Sequence, residues 1–230
     1  MLRKVLAGCL VLVMALSLCS CEIAEPILKS VLGDVAGEKI GELLKDPAQK
    51  QYECGKSAYD SLTRSEDICV QMADVVYEAW YFAIYDAEDY SSDSSRISAF
   101  AEEVGLTKSE LRTAFKNCLD TDECSDSLLS YALSEFSYAV EIACQAYVDK
   151  GLVAELDAEL ANAKDQLKII TEEYPDYSEY PMLKTYYAKV NSYAEFVKDP
   201  TGSFNQLSST VETYEREIRD CRRDLEIVFE

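Results

Sequence analysis

From residue 50 onward the chain repeats one pattern, apolar residues three and four apart with polar residues between them. The last instance is the clearest. Phe204, Leu207, Val211, Tyr214, Ile218, Cys221, Leu225 and Val228 alternate in steps of three and four, the spacing of an a/d seam on a helix. Ser203 with Gln206 forms a capping box at its start, and Asp199-Pro200-Thr201-Gly202 is the turn before it. Residues 152–174 repeat the seam with Val153, Leu156, Leu160, Ala163, Leu167, Ile170 and Tyr174. Residues 179–198 carry Leu183, Tyr187, Val190, Ala194 and Val197. Residues 50–88 predict one long helix striped by Tyr59, Leu62, Cys69, Ala73, Val76, Trp80 and Ala83, and Glu66 interrupts the stripe as a frayed or broken register, with a buried acid as the alternative. Residues 107–119 open on a second capping box, Thr107 with Glu110. Residues 122–149 predict a further helix, and Gly151 suits the position just past its end. That helix and the 152–174 helix then form a tight antiparallel hairpin. No stretch alternates with period two over a useful length. The pattern predicts an all-α fold, an antiparallel helical bundle with coiled-coil-like seams, over residues 48–230.

The beginning of the chain follows another logic. Arg3 and Lys4 precede the apolar run Leu10-Val11-Leu12-Val13-Met14-Ala15-Leu16, and no acidic residue appears before Glu22. This charge order predicts a signal peptide over residues 1–20. The run is shorter than the about 20 apolar residues of a permanent span, which argues against a retained anchor. The run ends in Leu18-Cys19-Ser20-Cys21. These residues resemble the lipobox of bacterial lipoproteins, with Leu18 at −3 and Ser20 at −1 of Cys21. The resemblance implies a diacylglyceryl thioether on Cys21, cleavage just before it, and attachment to the outer face of a bacterial cell membrane through the N-terminal lipid. Plain secretion is the alternative. Residues 21–47 then read as a tether: Gly33, Gly37 and Gly41 weaken any helix there, and Asp34, Glu38, Lys39 and Glu42 exclude a membrane span.

Export changes the meaning of the cysteines. Behind the leader stand Cys54, Cys69, Cys118, Cys124, Cys144 and Cys221, an even set, which in an exported chain predicts disulfides that staple the bundle. Lipidation of Cys21 keeps the set even. On single predicted helices Cys54 and Cys69 would stand about 22 Å apart, and Cys124 and Cys144 about 30 Å. A disulfide needs Cα atoms within about 7 Å, so about ten of the fifteen pairings survive. Zinc is disfavoured, because the chain has no histidine and no C-x-x-C spacing.

The formal charge is −21, and loss of Arg3 and Lys4 with the leader leaves 20 basic against 43 acidic residues, or −23. Such a surface repels nucleic acid and anionic lipid head groups. With 48% hydrophobic residues the chain still has ample material for a core, so the acidity is a solvated surface and no sign of disorder.

Two segments are candidates for binding. Asp86, Glu88, Asp89 and Asp93 cluster in one acidic stretch, and Asp120, Asp122, Glu123 and Asp126 in another. Neither has the glycine and closing glutamate of a calcium loop, so loop solvation and helix capping by Asp120, Thr121 and Asp122 are the preferred readings. Tyr174, Tyr177 and Tyr180 share a loop with Pro175 and Pro181. Tyrosines are enriched at binding hot spots, and they also cover the ends of bundles. Trp80, the single tryptophan, reads as core. No histidine, G-x-S-x-G or convincing cysteine nucleophile is present. Gly55-Lys56 lacks a phosphate-binding loop around it. Paired carboxylates of a hydrolase cannot be nominated among 43 acids.

Three further pieces carry a resemblance: Ala79-Trp80-Tyr81-Phe82-Ala83-Ile84-Tyr85 with the acidic stretch after it, Glu172-Glu173-Tyr174-Pro175, and Asp199-Pro200-Thr201-Gly202-Ser203-Phe204. Together they resemble an uncharacterised group of helical extracytoplasmic proteins of Gram-positive gut bacteria. The resemblance implies a location and no activity. The expectation from the whole sequence is a non-enzymatic module without cofactor that binds a partner, a protein by preference. A small-ligand or calcium-binding module is the alternative, and a carboxylate hydrolase a third.

Overall fold

The computed structural model describes residues 46–230. The leader, Cys21 and the segment up to residue 45 lie outside the described residues. Helix α1 (Pro47–Tyr81) begins where sequence chemistry starts it. Asp46 Oδ1 accepts from Ala48 N at 3.2 Å and Pro47 fills the first helical position, where its missing N–H costs nothing. The helix runs on into a π turn, Phe82–Asp86, and a 3-10 turn, Ala87–Asp89. Seven helices follow: α2 (Asp93–Glu103), α3 (Lys108–Cys118), α4 (Asp126–Ser134), α5 (Phe136–Asp149), α6 (Leu152–Glu173), α7 (Tyr180–Lys198) and α8 (Phe204–Phe229). No strand occurs among the described residues. Nor is any described helix long and apolar enough to cross a membrane. Glu53–Glu230 form one compact unit.

Within that unit α1, α6, α7 and α8 make an up-and-down bundle. Their directions follow from paired contacts. Along α1, Tyr59 stacks on Phe229, Glu66 meets Arg222, and Tyr77 meets the Phe204 ring at a tilt, so α8 runs antiparallel to α1. Arg64 with Glu155 and Ser61 with Asn162 set α6 antiparallel to it as well. Lys189 with Glu217 and Tyr193 with Tyr214 do the same for α7 and α8. The apolar stripes close on a core that includes Leu62, Ile68, Met72, Val76, Leu156, Leu160, Leu183, Val190, Ile218 and Leu225. Burying each such side chain stabilises the fold by about 2 kcal/mol before chain entropy is counted. Helices α2–α5 are inserted between α1 and α6. They build a second core on the far end of α1, with Phe82, Ile97, Phe100, Leu111, Phe115, Leu129, Leu133 and Ile142.

The seams of α6, α7 and α8 agree with the periodicity read from the sequence. So does the capping box of α3, where Thr107 N donates to Glu110 Oε2 at 2.7 Å. Gly151 adopts φ 78°, the left-handed turn that ends α5. Three readings change. Residues 122–149 are two helices: Glu135 is extended (φ −101°, ψ 111°) between them, so that α4 packs on α2 and α5 on α3. The cap of α4 is Ser125, whose Oγ accepts from Leu128 N, in place of Asp120, Thr121 or Asp122. Helix α2 was hidden by its serine-rich start, yet Ser92 and Ser95 cap it reciprocally.

The disulfide staples are not formed. Cys54, Cys69, Cys118, Cys124, Cys144 and Cys221 are all free thiols. Cys69 is buried in the first core, Cys54 faces Glu173, Cys124 precedes α4 near Arg112, and Cys221 lines a shallow groove with Pro181 and Met182. Cys118 and Cys144 alone share a cleft among these six. The helix-length argument that kept Cys124 from Cys144 also lapses, since Cys124 lies outside any helix.

Glu66 is no break in register. Its side chain is only 15% exposed and 3.3 Å from Arg222, and it accepts a 2.7 Å hydrogen bond from the Tyr186 hydroxyl. Arg222 is held in turn by Glu226 at 2.7 Å. Glu66→Ala strips the Tyr186 hydroxyl and one face of Arg222 of their acceptor. The expected cost is about 2 kcal/mol, seen as a lower urea midpoint with an unchanged slope. Asp67→Ala, at the exposed position next door, is expected to stay within about 0.5 kcal/mol of the parent.

Candidate binding face

The outer surface at the end of α1 is aromatic. The inward stripe takes Ala73, Val76 and Trp80, which places Tyr77 and Tyr81 one step outside it. Past Tyr81 the π turn adds a residue to the helical repeat, and the Ala87 N–H reaches back to the Phe82 carbonyl. Phe82 and Ala87, five apart, both face the second core, while Ile84 and Tyr85 turn outward at 46% and 55% exposure. Arg96 fixes this corner, donating to the Ala87 carbonyl at 2.7 Å and to Ser130 Oγ at 3.0 Å.

Tyr77, Tyr81 and Tyr85 form a ladder, with ring centroids 6.2 and 4.9 Å apart. Phe204, at the start of α8, closes it: its ring lies 5.0 Å from Tyr77, 6.2 Å from Tyr81 and 6.1 Å from Tyr85. Each pair contributes about 1 kcal/mol beyond its area. The rings therefore hold one another in place at the surface.

Carboxylates run beside the ladder. Asp74 and Glu78 stand one turn before Tyr77 and Tyr81. Burial first, and then the charges of Glu103, Asp74 and Asp86, push the Glu78 carboxyl above its ordinary range. Burial raises Asp74. Burial and then Asp74 raise Glu215 on α8, against which Arg219 pulls the other way. None of Asp74, Glu78, Asp86, Glu103 and Glu215 has an ion-pair partner among the described residues.

A cleft of about 480 Å³ opens on the neighbouring side. Met72, Trp80, Val140, Tyr147 and Val197 line it, with Glu141, Lys198 and Asp199 as its charged groups. The Phe136 ring lies parallel to the Trp80 indole at 6.1 Å. The turn of residues 199–203 joins cleft and ladder, since Gly202 lines the first and Phe204 belongs to the second. Lys198 is committed to Asp157 at 2.5 Å and Glu195 at 3.5 Å. Burial, then the charges of Asp199, Cys118 and Glu141, push the Cys144 thiol up to about 12. Burial likewise raises Cys118, whose Sγ lies 4.0 Å from Glu141 Oε2. Both sulfurs stay protonated near neutral pH, which makes them poor nucleophiles.

The sites expected from the sequence lie elsewhere or apart. Tyr177 is buried against Gly55, where a Cβ would come within 2.9 Å of its ring. Tyr174 and Tyr180 are half-buried against the first core. Tyr177 therefore packs into the bundle end, and only Tyr174 and Tyr180 keep part of their surface open. Glu88, Asp89 and Asp93 are exposed, and Asp86 joins the carboxylates around Glu78. Among the described residues no three Cys, Asp or Glu converge to hold a metal ion. The ladder itself was missed, although Tyr77, Tyr81 and Tyr85 recur every four residues. No family model matches the chain, and no curated protein or solved structure is significantly similar to it.

The raised carboxyls set a pH dependence. A carboxyl whose folded pKa exceeds its unfolded one subtracts stability above that folded pKa and is relieved as the pH falls through it. Asp74, Glu78 and Glu215 all have this sign. Glu110 and Glu217 have the opposite one, held low by the Thr107 backbone and by Lys189, and their contribution is lost only as the pH falls below the ordinary carboxylate range. Tm is therefore expected to rise as the pH is lowered from neutral toward the ordinary carboxylate range and to fall below it. Glu78→Gln should flatten the rising limb, as read by calorimetry.

Proposed function

We propose that this chain is an extracytoplasmic protein tethered by a lipid on Cys21, and that its helical body captures a protein partner on the Tyr77–Tyr81–Tyr85–Phe204 face without performing chemistry. The lipobox resemblance supports the tether, and the resemblance to helical extracytoplasmic proteins supports the location. The carrying observation for capture is the aromatic ladder. Large apolar rings in mutual contact at the surface mark interaction sites, and tyrosine supplies contact area with little rotamer entropy to lose. Protonated thiols and a lysine committed to two carboxylates support a binding role over a catalytic one.

A single staple belongs to the same reading. Cys118 and Cys144 would form a disulfide after export, passing two electrons and two protons to a thiol–disulfide oxidant of that compartment. Mass spectrometry of the exported chain is expected to show a lipid on Cys21 and a Cys118–Cys144 linked peptide. An N-terminus unmodified or beyond Cys21 overturns the tether, and two free thiols overturn the staple.

Capture is tested by placing a photo-crosslinking residue at position 84 of the full chain in its own envelope. One dominant adduct is expected, reduced at least tenfold by Tyr81→Ser with Tyr85→Ser. An unchanged adduct pattern in that variant removes the aromatic face from the reading.

The cleft favours a second reading, a small apolar or aromatic ligand stacked against Trp80 and Phe136. Because Trp80 is the single tryptophan, such binding would register as a change in intrinsic fluorescence, abolished by Phe136→Ala.

A further inference from the structure

We infer that the partner of the aromatic face is a cationic amphipathic segment of another protein, presenting lysine or arginine side chains together with apolar ones. This inference rests on the ladder being the capture surface and specifies what it captures. Three observations meet at one place.

The first is the geometry of the ladder. From Tyr77 to Tyr85 the ring centroids step by 6.2 and 4.9 Å, so the ladder extends over about two turns' length of a helix. That length matches about two turns of a partner helix laid along it. The second is the row of carboxylates beside it. Asp74 and Glu78 precede Tyr77 and Tyr81 by three residues, and three residues on a helix are neighbours across about one turn. Tyr77 and Tyr81 thus each have an acid about one helical turn away, while Asp86 follows Tyr85 in the chain. The third is the absence of compensation. None of Asp74, Glu78, Asp86, Glu103 and Glu215 is ion-paired among the described residues. Other acids of this protein are matched: Asp157 with Lys198, Glu155 with Arg64, Glu217 with Lys189, Glu66 with Arg222. Arg219 acts on one member of the row, Glu215.

A ring face beside a free carboxylate is matched by an alkyl-ammonium or guanidinium side chain. Its stem lies on the ring, its charge over the ring face gains a cation–π attraction, and its head reaches the carboxylate. Apolar residues of the same segment cover Ile84 and the rest of Tyr85. An anionic segment would meet unscreened repulsion here. A neutral one would leave the carboxylates desolvated and unpaired, a cost that binding must then carry.

The probe is a labelled fourteen-residue peptide of leucine and lysine in amphipathic helical spacing, titrated against the full chain by fluorescence anisotropy. A matched peptide with glutamate for lysine and one with serine for lysine serve as comparisons. The lysine peptide is expected to bind at least tenfold tighter than either. Asp74→Asn with Glu78→Gln should weaken it about tenfold, and Tyr81→Ser with Tyr85→Ser should do the same. Glu159→Gln with Asp165→Asn removes as much charge from α6 and should leave binding within about twofold. The substituted acids are exposed or half-buried and in no ion pair among the described residues, and native helical circular dichroism with a cooperative thermal transition confirms that each variant is folded.

Equal weakening by the α6 variant means attraction to the overall negative charge and overturns the inference. So does tighter binding of the serine or glutamate peptide. A dimer in sedimentation that dissociates in the Tyr81→Ser, Tyr85→Ser variant assigns the face to a second copy of this chain, and overturns it too. Failure here with a surviving tyrosine-dependent crosslink at position 84 would overturn the basic partner and leave capture standing. Loss of that crosslink's tyrosine dependence would remove capture itself.

Discussion

The structure depends on one helix serving two cores. Along most of its length α1 buries Tyr59, Leu62, Ile68, Met72 and Val76 against α6, α7 and α8. At its end it must bury Ala79, Phe82 and Ala87 against the inserted helices α2–α5. A regular α-helix keeps its buried stripe on one slowly drifting face. The π turn at Phe82–Asp86 adds a residue and rotates the stripe to the second core. The cost is one turn of poorer hydrogen bonding. The gain is two contiguous cores without a chain break. The outward residues at that junction are Tyr77, Tyr81, Ile84 and Tyr85, so the surface aromatics sit where the helix changes the core it serves.

The register of this shared helix is fixed by polar contacts as well as by apolar ones. Glu66, Tyr186 and Arg222 come from α1, α7 and α8, and Glu226 completes the set. A slip by one residue on any of the three helices would leave a mostly buried carboxylate facing carbon. At the bundle end Tyr59 donates to Glu230 at 2.9 Å. Burial and that bond raise the phenol to about 12, so it remains a donor. The Tyr147 hydroxyl, bonded to the Met72 carbonyl at 2.7 Å, ties α5 to the middle of α1. These bonds are few, and each is directional where the apolar stripes alone would tolerate sliding.

Much of this was legible in the sequence and some was not, for reasons that differ. The seams of α6, α7 and α8 were plain because each helix buries one stripe over many turns, and a repeat of Leu207, Ile218 and Leu225 admits one period. Helix α2 escaped because its eleven residues offer little more than Ile97, Phe100 and Ala101 as a stripe. The break at Glu135 escaped because both halves keep nearly the same helical phase, so only their tertiary partners separate them. Glu66 read as an error in a stripe because its answering groups lie 120 and 156 residues away. The disulfide expectation rested on an even count and on distances along single helices, and neither says which cysteines meet across helices. The site was half visible: the Trp80–Tyr85 segment stood out by composition, but whether a tyrosine faces core or solvent depends on the π turn. Tyr177 and Tyr85 look equivalent in the sequence, yet one is sealed against Gly55 and the other is 55% exposed.

The acidic row and the ladder share an energetic property that bears on their purpose. Structural residues improve the fold in which they sit. Glu78 and Asp74 do not, since burial penalises the charged form of each and mutual repulsion adds to the penalty at Glu78. Glutamine at position 78 would keep the helix and remove the penalty. Exposed aromatic rings are similarly poor choices for an isolated surface, where serine or lysine would keep the helix and lessen the hazard of association. Acids that cost stability and exposed rings that invite association lie side by side on one helix face. Folding alone does not account for that juxtaposition. A surface that is costly in the free protein becomes favourable when a complementary one covers the rings and neutralises the acids, and both are relieved by the same event.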